Sequence, residues 1–209
     1  MIVSLKQYLI ERLQQELPGK IAHIEAAPYR RVNFTDTELT EARKSGVLVL
    51  FYAKENVPHV ALMQRPKYDG THSGQISFPG GKQEKTDRNI EHTALREAYE
   101  EVGIIMEDVE IIGQLSDVYI PVSKFNVSPI IGFIDYHPTF NIDNHEVEEL
   151  IELKLSDLIS VKKLTPTKIS LANNTIIKAP SFVFNQKIVW GATALMLNEL
   201  RHTLIEWIP

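Results

Sequence analysis

Three carboxylates, Glu97, Glu100 and Glu101, fall within about one turn of a predicted helix in the run Ala94-Leu95-Arg96-Glu97-Ala98-Tyr99-Glu100-Glu101-Val102-Gly103. At ~100° per residue, Glu100 lies about 60° to one side of Glu97 and Glu101 about 40° to the other, so all three share a face. Like charges at these spacings destabilise an isolated helix by a few tenths of a kcal/mol per pair, roughly. A bound cation would offset that cost. Magnesium, a hard ion that takes oxygen ligands and substrate phosphates, fits the donor type. Just upstream, Gly80-Gly81-Lys82 follows Pro79. The glycines permit positive φ and close approach of the backbone to a ligand. Arg96, four residues before Glu100, is placed to pair with it and fix its rotamer, as groups behind metal ligands commonly do.

The plain alternative is a solvated acidic helix face. The Phe78-Pro79-Gly80-Gly81 loop directly ahead favours a site instead, because loop and helix read as one unit. A Walker phosphate loop is excluded, since Gln83 stands where Ser or Thr must follow the lysine.

The elements that must position this unit read as α/β. Leu5, Leu9, Leu13 and Leu17 predict an amphipathic helix over Ser4–Leu17, stopped by Pro18-Gly19, before a polar segment with Pro28, Arg30 and Arg31. Residues 46–52 and 60–65 predict a hairpin turning near Glu55-Asn56-Val57-Pro58. The stretch 66–81 reads as loop, with a short strand candidate at 75–78. The acidic helix is expected to start near Asp87 as N-cap and to end at Gly103, packing Leu95, Ala98, Tyr99 and Val102 on a sheet. Strands are predicted at 109–115 and 127–134, a helix or extended arm at 146–159, and a closing helix from Gly191 to Trp207. The expected organisation is one domain: residues 1–45 form a helix and extension packed on 46–209, with a mixed sheet between helices.

Composition limits the rest. A chain of 209 residues is long enough for a full core. Its net charge of −5 argues against a nucleic-acid partner, whose footprint would be basic. With no cysteine, thiol catalysis, disulfides and zinc–thiolate sites are excluded, and a cytoplasmic setting is expected. No apolar run approaches the ~20 residues of a membrane span, and the start shows no export signal. The seven histidines, His72 among them, show no paired ligand spacing.

Gly81 through Ile104 resembles the signature of the Nudix hydrolases, Gly-x5-Glu-x7-Arg-Glu-U-x-Glu-Glu-x-Gly-U, where U is apolar. Arg96 through Ile104 matches at every fixed position. Two departures, one extra residue before Arg96 and Asp87 at the usual Glu position, resemble the coenzyme A diphosphatase branch. So does the upstream pattern at Arg65, Gly74 and Phe78-Pro79-Gly80-Gly81, while Pro66 and Gly70 replace a small polar residue and a second Arg. Lys67, Arg65 or Lys82 are the cations left to take that Arg's place.

The resemblance implies a Nudix-type α/β/α sandwich with a central mixed sheet, plus the N-terminal helix. It implies magnesium or manganese held by Glu97, Glu100, Glu101 and the Gly81 carbonyl, with Glu97 or Glu100 also handling the attacking water. Arg96 would position Glu100. Glu146, from the cluster Glu146, Glu148 and Glu149, is the expected outside acid. Arg65, Lys82 and the Gly80 backbone would hold substrate phosphates. The implied partner is a small nucleoside diphosphate-linked molecule: coenzyme A or its thioesters first, then ADP-ribose, a dinucleotide or a nucleoside triphosphate. A non-catalytic Nudix-like sensor is the contrasting class, but such sensors usually lose helix glutamates and all three remain here. Homodimers are common in the family; nothing in this chain specifies one.

Overall fold

The computed structural model describes residues 1–28, 30–31, 33–66, 73–170 and 175–207. Lys67, Gly70 and His72 therefore lie outside the described residues.

Strand β1 (Arg43–Lys54) is the centre of the fold. Its sequence is apolar at successive positions because both of its faces are covered. Val47, Val49 and Phe51 face one buried cluster, and Leu48, Leu50 and Tyr52 face another. It turns at Glu55 and Asn56, both with positive φ, into antiparallel β2 (Val57–Gln64). The expected hairpin is there, and paired positive φ is what a two-residue loop of the right twist requires.

Short strands β3 (Ile76–Ser77) and β4 (Gly80–Lys82) pair with β2 and β1. The acidic helix α4 (Ile90–Val102) follows, after helices α1 (Ile2–Arg12), α2 (Gly19–Ala26) and α3 (Asp36–Thr40) at the start of the chain. Strands β5 (Glu110–Gln114), β6 (Val118–Ile120) and β7 (Phe125–Phe133) complete one side of the sheet, and β8 (Glu149–Lys154) the other. β1 and β7 are parallel while the remaining pairs are antiparallel, so the sheet is mixed as expected. Helix α5 (Leu155–Ser160) leads to a separate three-stranded sheet, β9 (Thr165–Ser170), β10 (Ile176–Phe184) and β11 (Lys187–Val189). Helix α6 (Gly191–Thr203) closes the fold.

Ala94, Ala98 and Val102 of α4 pack on the Leu48/Leu50/Tyr52 face. Leu5 and Leu9 of α1, with Leu195, Leu197 and Leu200 of α6, pack on the opposite face. The layers are helix, sheet, helix.

Several sequence expectations need correction. The first helix ends at Arg12, not Leu17, and Pro18-Gly19 opens α2 instead of stopping structure. The reason is distant: the Gly19 N–H donates to the buried Glu199 carboxylate on α6 at 3.2 Å, and His23 pairs with the same carboxylate. Helix α4 is capped by Asn89, whose side chain accepts from the His92 N–H at 2.8 Å, so Asp87 is not the N-cap. Tyr99 is exposed, not packed. Gly103 does end α4 with φ 74°. The 146–159 region is a strand followed by a short helix, and β9–β11 had no counterpart in the sequence reading.

Gly46 lets α4 sit directly on β1: a Cβ there would stand 2.6 Å from the Ile90 carbonyl oxygen. Gly46→Val is therefore expected to cost about 3 kcal/mol, near the top of the overpacking range. Denaturant unfolding would read it as a lower midpoint with unchanged slope. An unchanged midpoint would mean that α4 is not seated as described.

Candidate active site

Strand β4 brings the double glycine beneath α4. Gly81 pairs with Gly46 of β1, and a Cβ added to Gly81 would stand 2.3 Å from a Glu97 carboxylate oxygen, so any larger residue would displace that carboxylate. Gly80 has φ 151°, and a side chain there would collide with the β1 backbone. The two glycines thus let a strand edge lie directly against a catalytic-type carboxylate.

Arg96 is the hub. Its Nε and Nη2 donate to the two oxygens of Asp87 at 2.9 and 3.0 Å, its Nη2 pairs with Glu97 at 2.9 Å, its Nη1 with Glu100 at 2.8 Å, and Nη2 reaches the Lys82 carbonyl at 3.2 Å. The Asp87 side chain has no solvent exposure. It also accepts from the Glu84 N–H, Thr93 Oγ1 and the His92 ring. Arg96 above all, with these donors, holds its carboxyl well below the usual carboxylate range against the opposing effect of burial. The acid at the signature's first position is therefore a fastener, closing the 82–89 bend onto α4. Aspartate is one methylene shorter than glutamate, and this bend is one residue longer than the signature's.

The three glutamates share a face by helical geometry but differ in surroundings. The Glu100 side chain is 54% exposed, that of Glu97 15%, and that of Glu101 only 1%. Glu101 turns inward, accepting from the Gly80 N–H at 2.7 Å and pairing with Arg65 at 3.1 Å. Burial pushes its carboxyl up to about 8; Arg65 and the Gly80 N–H counter this, while Glu97 and Glu146 add to it. Glu97 is also raised, by burial first, with Arg96 opposing and Glu100 and Glu146 reinforcing.

Glu146 thus sits close enough for its charge to act on both Glu97 and Glu101. Its loop is pinned there by main-chain bonds: Asn141 and Asp143 N–H to the Val102 and Glu101 carbonyls, and the Glu148 N–H to the Gln64 carbonyl. Glu148 and Glu149 turn elsewhere, Glu148 accepting from Gln64 at 3.4 Å and Glu149 pairing with Lys187.

The other sequence-chosen groups are also placed. Lys82 is exposed and lines the cleft beside Gly80, Gly81 and Arg65. The Gly80 N–H and carbonyl are both engaged within the protein, by Glu101 and by Arg65 at 3.2 Å. The Gly81 carbonyl accepts from Ser45 Oγ at 2.7 Å. Sequence reasoning missed Ser45, which no local pattern marks, and Lys187. The latter crosses from β11 to Gln64 at 2.8 Å and to Glu149, and lines the same cleft.

The donors facing the loop are all oxygens, and their charges reinforce one another, which suits a hard divalent cation. Among the described residues no three acidic or histidine side chains already converge on one point, since Arg96 engages Glu97 and Glu100.

Residues 42–177 match the NUDIX domain family. The chain belongs to the Nudix hydrolase family. Such enzymes act on phosphoric anhydrides of nucleoside diphosphate-linked compounds and generally use divalent metal ions. An uncharacterized Nudix hydrolase NudL from Pectobacterium atrosepticum is 36% identical over 160 residues, covering 77% of this chain and 82% of the relative. A NudL from an Enterobacter species is 33% identical over 163 residues, covering 78% and 83%. Among solved structures, the Nudix hydrolase RenU of M. smegmatis aligns over 80% of this chain and 89% of its own, with TM-score 0.54 and 14% identity. A MutT/nudix family protein from Enterococcus faecalis aligns over 98% and 74%, with TM-score 0.54 and 17% identity. These two share the fold. Among the described residues no helix is long and apolar enough to cross a membrane.

Asp87→Asn removes a buried charge that Arg96 depends on, and is expected to destabilise by about 3 kcal/mol. Because the folded-state pKa of Asp87 is depressed, its contribution is complete above the unfolded value near ~4 and is lost as pH falls below it. Between pH 7 and 3 the gap in urea midpoint between wild type and variant should narrow without closing, because the folded-state carboxyl titrates below that range. Parallel curves would contradict the assignment.

Proposed function

We propose that this chain is a divalent-metal-dependent diphosphatase that cleaves the pyrophosphate of coenzyme A or acyl-coenzyme A, giving 3′,5′-ADP and 4′-phosphopantetheine or its acyl form. The observation that carries the reading is the single cleft in which Gly80, Gly81, Lys82 and Arg65 meet, with the Glu97 carboxylate pressed against Gly81. Phe78-Pro79-Gly80-Gly81 and the extra residue before Arg96 support the coenzyme A branch. Its cysteine-free composition supports a cytoplasmic setting.

Glu97, Glu100 and Glu101, with the Gly81 carbonyl, would hold magnesium or manganese. Such an ion, when bound, lowers the pKa of its water and neutralises charge developing on the phosphoryl oxygens. Glu97 would orient the attacking water, because its carboxylate lies directly against Gly81 and is held by Arg96. Arg96 fixes Glu97 and Glu100 from behind. Glu146, whose charge reaches Glu97 and Glu101, would take a proton from that water. Lys82 and Arg65 would receive the substrate phosphates, with Lys187 as a further cation at the same wall. The Gly80 backbone contributes by fixing Glu101 and Arg65, because its own polar groups are occupied.

One feature favours a second reading. Gly70 stands where the coenzyme A pattern carries an Arg, which supports ADP-ribose, a dinucleotide or a nucleoside triphosphate as substrate.

Hydrolysis of coenzyme A, ADP-ribose and nucleoside triphosphates, each with magnesium or manganese, separates these readings. Coenzyme A is expected to be preferred, and Glu97→Gln to lower kcat about 10³-fold without altering the melting temperature. Preference for ADP-ribose would remove only the coenzyme A assignment. No turnover of any substrate, with Glu97→Gln indistinguishable from wild type, would remove the enzyme reading.

A further inference from the structure

The cleft that contains the Gly80-Gly81 loop continues well past it. Its volume is about 1310 Å³, above the ~300–1,000 Å³ of ordinary small-ligand sites. Beyond Lys82 its lining is mixed, with Lys168, Ser170, Gln186 and Lys187 set among apolar side chains from two elements. One wall is the turn joining β6 and β7, with Ile120, Pro121 and Val122; the other is the β9–β11 sheet, with Ile169, Ile177 and Ile188. Ile169 and Ile177 are directly opposite each other across β9 and β10. Ile188 pairs with Val183, which has the same strand parity as Ile177, so the three isoleucines belong to one face. Several of these side chains meet water: Val122 is 86% exposed and Ile188 37%. Exposed apolar residues grouped along one cleft mark a binding surface more often than chance. A diphosphate cannot use them.

We propose that this apolar stretch holds the non-nucleotide arm of the substrate, a flexible chain ending in an apolar group, and sets specificity for that arm. The inference rests on the diphosphatase reading above, and it names what the far half of the same cleft selects. Continuity carries it: the isoleucine face and the β6–β7 turn open into the cavity that Gly80, Gly81 and Lys82 line, so a substrate held at the loop by its phosphates extends its other half between them. Apolar burial multiplies affinity by roughly fourfold per methylene. The arm therefore gains most when it carries a long acyl group.

The test uses the full chain with magnesium and four substrates: ADP-ribose, coenzyme A, hexanoyl-coenzyme A and palmitoyl-coenzyme A. In the wild type, kcat/KM is expected to rise with acyl length. Val122→Asp, at a position too exposed to disturb folding, should cut the palmitoyl-coenzyme A to ADP-ribose ratio about 10-fold, mainly through KM, while Val122→Leu preserves it. Ile188→Glu should act in the same direction from the opposite wall. No acyl-dependent gain in the wild type, or an equal loss on all four substrates, would overturn the arm assignment and leave the diphosphatase standing. A shift of Val122→Asp to a smaller species on size exclusion, with ratios unchanged, would assign the patch to self-association and overturn it too. Failure of every substrate, in wild type and variants alike, would remove the diphosphatase reading and the arm together.

Discussion

The guanidinium of Arg96 donates to both oxygens of a fully sealed Asp87 through Nε and Nη2, shares Nη2 with Glu97 and gives Nη1 to Glu100. A buried ion pair contributes little net stability, because desolvation consumes most of its Coulombic gain. Its value here is geometric. It fixes where the 82–89 bend meets α4, and so where the Gly80-Gly81 edge lies under Glu97. It also holds two acidic side chains of α4 in chosen rotamers. The glycines answer the same constraint from the strand side, since a Cβ on Gly81 would displace the Glu97 carboxylate and one on Gly46 would clash with the α4 backbone.

The sheet gives this unit a rigid base. With both faces of β1 buried, α4 packs on one while α1 and α6 pack on the other. The sequence between β8 and α6 is then free to build something different, a three-stranded sheet that faces the loop across the cleft. Lys187 ties that sheet back to β2 and β8 through Gln64 and Glu149. On the proposed reading, chemistry and selection sit on separate parts of the fold: the anhydride-facing groups on β4 and α4, the far wall on β9–β11.

How much of this was legible in the sequence depended on the range of the interactions. Gly103 as helix end, the Glu55-Asn56 hairpin and the apolar run of β1 are local, and each reads directly from residue type. The opening of α2 is not, because the carboxylate receiving the Gly19 N–H belongs to Glu199. Helical geometry put Glu97, Glu100 and Glu101 on one face. It could not show that Glu101 would be turned inward by the Gly80 N–H and Arg65, since those partners lie 21 and 36 residues earlier, on β4 and just past the end of β2. Asp87 has the residue type of an N-cap and nearly the right position, yet Asn89 takes that role and leaves Asp87 for Arg96. Glu146 was reachable as an acid outside the helix, whereas Ser45 and Lys187 carry no signal short of the folded sheet.

The central claim is that the acidic face of α4 and the glycine edge beneath it form one divalent-cation site. Manganese binding followed by electron paramagnetic resonance tests this without any assumption about substrate. Wild-type protein is predicted to bind the ion in a way that magnesium displaces, with Glu97→Gln weakening binding at least about 10-fold. Equal manganese affinity in wild type and Glu97→Gln would contradict the account.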